Sequence, residues 1–121
     1  MVQTPNSEPY DLEERTYQFA RGCREFVKKL PRTICNIEDG KQLGRSSGSV
    51  AANYIEANES VSRKDFALRV KIARKEAKEC RLWLRLCEIG DSGVSKEAQK
   101  MLITEAIELG KIFGSILEKS R

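Results

Sequence analysis

The sequence predicts an all-α protein that folds as an up-down-up-down antiparallel four-helix bundle. Apolar residues recur at helical spacing in four segments, and two of the only three prolines lie within the first ten residues. Short polar links join the segments, and helices linked in this way pack most simply against their neighbours in antiparallel order. At 121 residues the chain is one domain. We expect a flexible N-terminal arm over 1–10 and helices over about 11–30, 34–60, 63–89 and 95–119.

The first helix begins at a pair that resembles a capping box, Asp11 followed three residues later by Glu14. Pro31 marks its end. Its apolar side is predicted from residues at helical spacing: Leu12, Thr16, Phe19, Cys23, Phe26 and Leu30.

The second helix has a start that is poor in helix-forming residues, because Gly40, Gly44 and Gly48 lie four apart among serines. One interpretation is a groove of small residues that lets a neighbouring helix approach closely, and the other is a frayed or broken first half. The apolar period favours a continuous helix with a weak start. That period comprises Leu43, Ser47, Val50 or Ala51, Tyr54 and Asn58.

The third helix is the element around which the chain is organised. Ser62 is its expected N-cap, and Gly90 its expected left-handed stop. Steps of four and three define one apolar seam: Phe66, Val70, Ala73, Ala77, Cys80, Leu84 and Cys87. A second apolar strip beside it comprises Leu68, Ile72, Trp83 and Leu86. A helix with two such strips is central in its own fold or shares a face with another subunit.

The fourth helix is expected to begin at the N-cap Ser95 and to end with basic residues, which suit a helix C-terminus. Its seam comprises Ala98, Leu102, Ala106 or Leu109, Phe113 and Ile116.

Positive charge is concentrated in the third helix. From Arg63 to Arg85 nine Lys and Arg residues face three acidic ones, a net charge of +6, whereas the whole chain carries +4. Most of these residues point broadly the same way. The candidate nucleic-acid-binding residues are Arg63, Lys64, Lys71, Arg74, Lys75, Lys78 and Arg85.

Catalytic and metal chemistry are not expected. The chain contains no histidine, which removes the commonest general base and metal ligand. Its four cysteines form no Cys-x-x-Cys pair, so buried thiols are the favoured interpretation and a zinc site is not. A nucleophile–base pair or a convincing carboxylate dyad is not evident either. We expect no enzyme activity, no cofactor and no metal.

A cytoplasmic location without a membrane partner is expected. The first ten residues lack the basic and apolar regions of a signal peptide. No apolar run approaches the roughly 20 residues needed to cross a bilayer.

Polar residues lie on or near the packed side of the second helix, at Arg45, Asn53 and Glu56. The favoured hypothesis is a buried polar network that fixes the register between helices. The alternative is that these side chains line a small-molecule site.

The centre of the sequence, from Gln42 to Phe66, resembles the bacterial four helix bundle protein family. This family includes proteins encoded by intervening sequences in large-subunit ribosomal RNA genes, and it is similar to the accessory protein of diversity-generating retroelements. The matching elements are Gln42-Leu43, Arg45-Ser46, Ser49-Val50, Asn53, Glu56-Ala57 and the Ser62-Arg63-Lys64-x-Phe66 junction. The sequence departs from the family at Gly44-Arg45 and Gly48, where bulkier residues are expected, and at Ala57-Asn58, near which many members carry a glycine.

This resemblance implies an up-down bundle that is commonly assembled into a cyclic homopentamer with a central channel. It also implies association with nucleic acid or reverse transcriptase for at least some relatives, and it carries over no catalytic residues.

Two functional hypotheses follow. The first is a basic oligomeric adaptor that binds RNA or DNA through phosphates without reading sequence, because no aromatic residues interleave with the basic stripe. The second is a protein-interaction scaffold with no nucleic-acid role, in which Trp83 and Leu86 anchor a partner. The alternative for the basic stripe is that it is simply a solvated helix face. The alternative for Trp83 and Leu86 is that they are ordinary core residues.

Overall fold

The computed structural model of the protein describes residues 11–91 and 93–120. Its four helices are α1 (Leu12–Lys28), α2 (Ile34–Asn58), α3 (Arg63–Leu86) and α4 (Gly93–Lys119). The predicted all-α four-helix fold is confirmed. The predicted arm over 1–10 lies outside the described residues.

Neighbouring helices run antiparallel, because contacts between them join early residues of one helix to late residues of the next. Such pairs are Glu13 with Asn58, Arg24 with Ser47, Arg69 with Asn53, Arg45 with Glu76, Leu84 with Gln99, and Arg74 with Gly114. α4 returns to contact α1, so the helices follow one another around the bundle in chain order. A bidentate ion pair spans this last contact, with Arg15 Nε 2.7 Å and Nη2 2.9 Å from the two carboxylate oxygens of Glu105.

The core lies along the seam predicted for α3. Six of its seven residues are at most 4% exposed: Val70, Ala73, Ala77, Cys80, Leu84 and Cys87. Phe19 and Phe26 of α1 and Leu109 and Phe113 of α4 pack into the same cluster. Burying these apolar side chains contributes about 25 cal/mol per Å² removed from water, which fixes the orientation of α3 about its own axis.

α3 ends at Leu86, three residues before the predicted boundary, because side chains from other helices bind the backbone there. Cys87 is extended, with φ −64° and ψ 135°. Asn36 accepts a hydrogen bond from the Glu88 amide at 2.9 Å and donates to the Glu88 carbonyl at 2.8 Å. Gln99 donates to the carbonyls of Leu84 and Cys87. Gly90 adopts the predicted left-handed conformation, with φ +70°, in the link that follows.

Of the three N-cap side chains predicted from the sequence, one caps its helix as predicted. Ser62 caps α3 as predicted, accepting a hydrogen bond from the Asp65 amide at 3.0 Å. Asp11 precedes α1, but its side chain makes no capping hydrogen bond, so the predicted capping box is wrong. α4 begins at Gly93, which places the predicted cap Ser95 inside the first turn, where it is buried.

α2 is one continuous helix through its glycines, as predicted. The groove of small residues that would let a neighbouring helix approach is present at Gly40. A Cβ built at Gly40 would lie 2.9 Å from Val27 Cγ1 of α1, whereas one built at Gly44 would meet nothing within 4 Å. The missing side chain at Gly40 therefore allows α1 to approach closely, whereas no neighbouring residue approaches Gly44.

Candidate nucleic-acid interface

All seven predicted basic residues are exposed on α3. They are Arg63, Lys64, Lys71, Arg74, Lys75, Lys78 and Arg85. Their exposure follows from the burial of the seam, because a helix with one side held in the core presents the opposite side to solvent. None of the seven forms a salt bridge with a described residue. Their charges are therefore available to an external anion.

Two further cations, Arg81 and Lys111, join this surface in addition to the seven predicted residues. Arg74, Lys78 and Arg81 of α3 and Lys111 of α4 line a groove between the two helices, with a cavity volume of about 260 Å³. We call this the α3–α4 groove. Arg81 follows Arg74 by seven residues, so heptad spacing could have identified it. Lys111 carried no such signal, because its relevance depends on where α4 packs.

The edge of α3 that faces α2 carries two carboxylates close to Arg45 of α2. Arg45 Nη2 of α2 lies 3.7 Å from Glu76 Oε1 and 3.6 Å from Glu79 Oε1. The Glu76 side chain is only 9% exposed, and its Oε1 makes no hydrogen bond with the described residues. The basic face is thus bounded on this side by two carboxylates that one guanidinium compensates.

The polar residues predicted on α2 do not form one network. Asn53 donates to the Ser49 carbonyl at 2.9 Å and accepts from Arg69 at 3.4 Å. Arg45 contacts the glutamates described above, and Glu56 is exposed and joins neither contact. Eleven residues of helix separate Arg45 from Glu56 by about 16 Å, so sharing a face does not bring them together.

Aromatic side chains do not interleave with the basic face in the described residues. Tyr54 lies in the core with its ring centroid 6.0 Å from that of Phe113. Trp83 is half-buried against the core, and its buried Nε1 has no hydrogen-bond partner there. Tyr17 is exposed, but on α1. This face therefore has no row of aromatic side chains on which successive bases could stack.

The cysteines behave as buried hydrophobes at three of four positions. Cys23, Cys80 and Cys87 are buried, Cys35 is exposed, and all four are free thiols. Burial raises the pKa of the Cys23 thiol to about 12 and that of Cys87 to about 11, and it also raises the pKa of Cys80. The protonated thiol is a poor metal ligand and nucleophile.

Residues 11–91 and 93–120 contain no group of three Cys, Asp or Glu side chains placed to hold a metal ion. No helix described here is long and apolar enough to span a membrane.

The chain is similar to known proteins in sequence and in structure. The sequence model of the family described as 23S rRNA-intervening sequence protein matches residues 8–115. The crystal structure of a protein of unknown function from the S23 ribosomal protein family of Bacteroides thetaiotaomicron superimposes with a TM-score of 0.75 and 28% sequence identity. That similarity covers 91% of this chain and 97% of the other. No protein with a curated description matches the chain.

Proposed function

The chain belongs to the family of 23S rRNA-intervening sequence proteins, and from that premise we propose that it is a non-catalytic, basic, oligomeric adaptor in the cytoplasm. Its ligand in this proposal is RNA or another nucleic acid, bound through phosphates. Free and mostly buried thiols are typical of a reducing compartment, which supports the cytoplasmic location.

One observation carries the proposal of nucleic-acid binding: the exposed cations of α3 lack acidic partners among the described residues. A solvated helix face of mixed charge pairs its lysines and arginines locally, as Lys28 does with Glu25 and Lys41 with Glu38. The exposed lysines and arginines of α3 form no such local pairs with the described residues. Each Lys or Arg that neutralises a phosphate releases a counterion, so several weak contacts add up to useful affinity.

Charge reversal tests this proposal. Lys71→Glu and Lys78→Glu should each weaken binding to a generic RNA by at least about tenfold at 50 mM salt, because they remove one contact and add a repulsive charge. Lys100→Glu is the matched control, an exposed lysine on α4 outside the α3–α4 groove. We expect it to retain affinity within about threefold in a fluorescence anisotropy titration. Equal losses in all three variants, or no RNA binding at low salt, would contradict the proposal.

Self-association is the second part of the proposal, and exposed leucines on α3 support it. Leu68 and Leu86 of the predicted second strip are 52% and 48% exposed. Ile72 and Leu86 lie one heptad on either side of Glu79, which contacts α2, so the predicted second strip follows the α2 side of the exposed face. We propose that a second copy of the chain covers this strip. The pentamer implied by the family resemblance is the assembly we expect.

The second candidate function is a protein-interaction scaffold without a nucleic-acid role. The same exposed leucines support it, with Leu86 as an anchor, whereas Trp83 packs largely against its own core. RNA binding that depends on the α3 lysines separates the two candidates, because the scaffold requires none.

A further inference from the structure

The α3–α4 groove has an apolar floor beneath its cationic rim. Ile107, which is 36% exposed, and Gly110 of α4 form the accessible floor, and the buried Ala77 of α3 and Ala106 of α4 lie beneath them. A Cβ built at Gly110 would meet nothing within 4 Å. The floor is thus an open slot that small side chains leave unfilled.

The rim carries four positive charges around this slot. Arg74 reaches across to α4, where its guanidinium lies 3.6–3.8 Å from a Cβ built at Gly114, one turn beyond Gly110. Arg81 lies two turns away along α3, at a separation of about 10 Å. Among the described residues, Arg74, Lys78 and Arg81 make no salt bridge, and Lys111 has only Glu108, at 3.9 Å. The rim can therefore hold phosphates on both sides of a group that sits on the floor.

The dimensions suit a fragment rather than a whole cofactor. Small-molecule sites measure about 300–1,000 Å³, and the groove, at about 260 Å³, lies just below that range. Guanidinium planes such as those of Arg74 and Arg81 are stacking partners for unpaired bases. An apolar floor with planar cations at its two ends matches a base flanked by phosphates.

We propose that the α3–α4 groove accepts one unpaired nucleotide of a nucleic-acid strand, with its base on the apolar floor and the adjoining phosphates on the rim. This inference rests on the proposed function and adds to it a preference for unpaired nucleotides. A duplex keeps its bases stacked inside and presents only phosphates to the rim, so it cannot fill the slot. A site of this kind distinguishes a single strand or a bulge from a duplex without reading the identity of the base.

Filling the slot tests the inference. Gly110→Leu places a strong helix former where the structure is open, so the variant should fold and block the floor while keeping every charge. Gly44→Leu is the matched control, since a Cβ at Gly44 of α2 also meets nothing within 4 Å. Circular dichroism should show both variants as helical as the wild type.

The probes are oligo(U), oligo(dT), a strand of abasic spacers and an RNA duplex, each of about twelve units. Wild type should bind oligo(U) or oligo(dT) at least about fivefold more tightly than the abasic strand, which is the low end of measured base-stacking contributions. The ratio of the affinities for oligo(U) and oligo(dT) then shows whether the groove prefers an RNA or a DNA strand. Gly110→Leu should reduce that affinity to the abasic level and leave duplex binding within about twofold. Gly44→Leu should change neither.

Each failure has a distinct meaning. Salt-sensitive binding with equal affinity for oligo(U), oligo(dT) and the abasic strand would overturn the inference and leave the proposed function standing. An unchanged base preference in Gly110→Leu would do the same. Displacement of oligo(U) by a polyglutamate peptide as effectively as by oligo(U) itself would also overturn it, because the slot would then serve acidic chains. Absence of binding to all four nucleic-acid probes at low salt would contradict both the proposed function and this inference.

Discussion

Asn36 is a buried residue whose side chain binds the backbone of two separate segments of the chain. It is 2% exposed, and its amide donates to the carbonyls of Pro31 and Glu88 while its oxygen accepts from the Glu88 amide. One buried side chain thus satisfies backbone groups in the link before α2 and in the segment after α3.

Asn36→Ala should lower the free energy of unfolding by about 2–4 kcal/mol, because it removes three hydrogen bonds worth about 0.5–1.5 kcal/mol each. Asn58→Ala is the control, an exposed asparagine whose side chain bonds the side chains of Glu13 and Tyr54 but no backbone group of another segment. We expect it to cost less than about 1 kcal/mol. Urea denaturation measures both, and a loss below about 1 kcal/mol in Asn36→Ala would contradict this assignment.

The buried thiols make stability depend on pH in the alkaline range. In the folded protein the thiols of Cys23, Cys80 and Cys87 stay protonated well above pH 9, because burial raises their pKa. In the unfolded chain they ionise near pH 8.5. The folded state therefore binds more protons than the unfolded state between these values.

Stability should consequently fall as pH rises from about 9 to 11, by up to about 1.4 kcal/mol per pH unit for each thiol. Cys80→Ala should make this slope shallower, whatever it does to stability at pH 7. Urea unfolding at several pH values measures the slope. A slope that is identical in the variant would show that Cys80 does not contribute to it.

At the scale of the helix, the glycines of α2 differ in what they do. Gly44→Ala should raise the free energy of unfolding by up to about 1 kcal/mol, the helix-propensity difference at an open position. Gly40→Ala should lower it, because the new Cβ would lie 2.9 Å from the stiff, β-branched Val27. Thermal unfolding of the two variants should shift in opposite directions. A stabilised Gly40→Ala would show that α1 does not approach α2 as closely as described.

The elements were predictable where one helix determines the pattern by itself. The α3 seam follows from steps of three and four, and Ser62 caps through an amide three residues away, so both were evident from the sequence. The end of α3 was not, because its partners Asn36 and Gln99 belong to other helices. The capping box predicted at Asp11 was wrong although its local sequence pattern is present, because the Asp11 side chain makes no capping hydrogen bond.

The candidate site was predictable to a similar extent. The seven basic residues share α3, and burial of its seam exposes them together. Lys111 and the slot beside Gly110 required the packing of α4 against α3, which no local pattern encodes. Arg45 and Glu56 share a face by angle, yet the rise along α2 keeps them apart. Angular position identifies a surface, and only tertiary packing identifies contacts.

At the scale of the whole molecule, the exposed leucines of α3 lead to a prediction about mass in solution. Light scattering should give the mass of a homopentamer of 13.7 kDa chains. Leu68→Glu combined with Leu86→Glu should reduce it, because two charges would enter an apolar contact. Lys100→Glu should leave it unchanged. A monomeric wild type at micromolar concentration would contradict the proposed self-association.

In our proposal, self-association strengthens nucleic-acid binding by the cationic face. A monomer presents one α3, whose individual phosphate contacts are weak and strongly screened by salt. A closed ring repeats that face in every subunit, and linked contacts bind far more tightly than single ones. The charged surface and the apolar strip are therefore two parts of one proposal.

The salt dependence of RNA binding tests the central claim most directly. The logarithm of the association constant for a single strand should fall linearly with the logarithm of salt concentration, by about 0.7 for each phosphate contact. In Lys78→Glu the slope should become shallower by at least about 0.7, and in Lys100→Glu it should not change. A slope near zero in the wild type, or equal slopes in all three proteins, would show that the basic face of α3 does not bind nucleic acid.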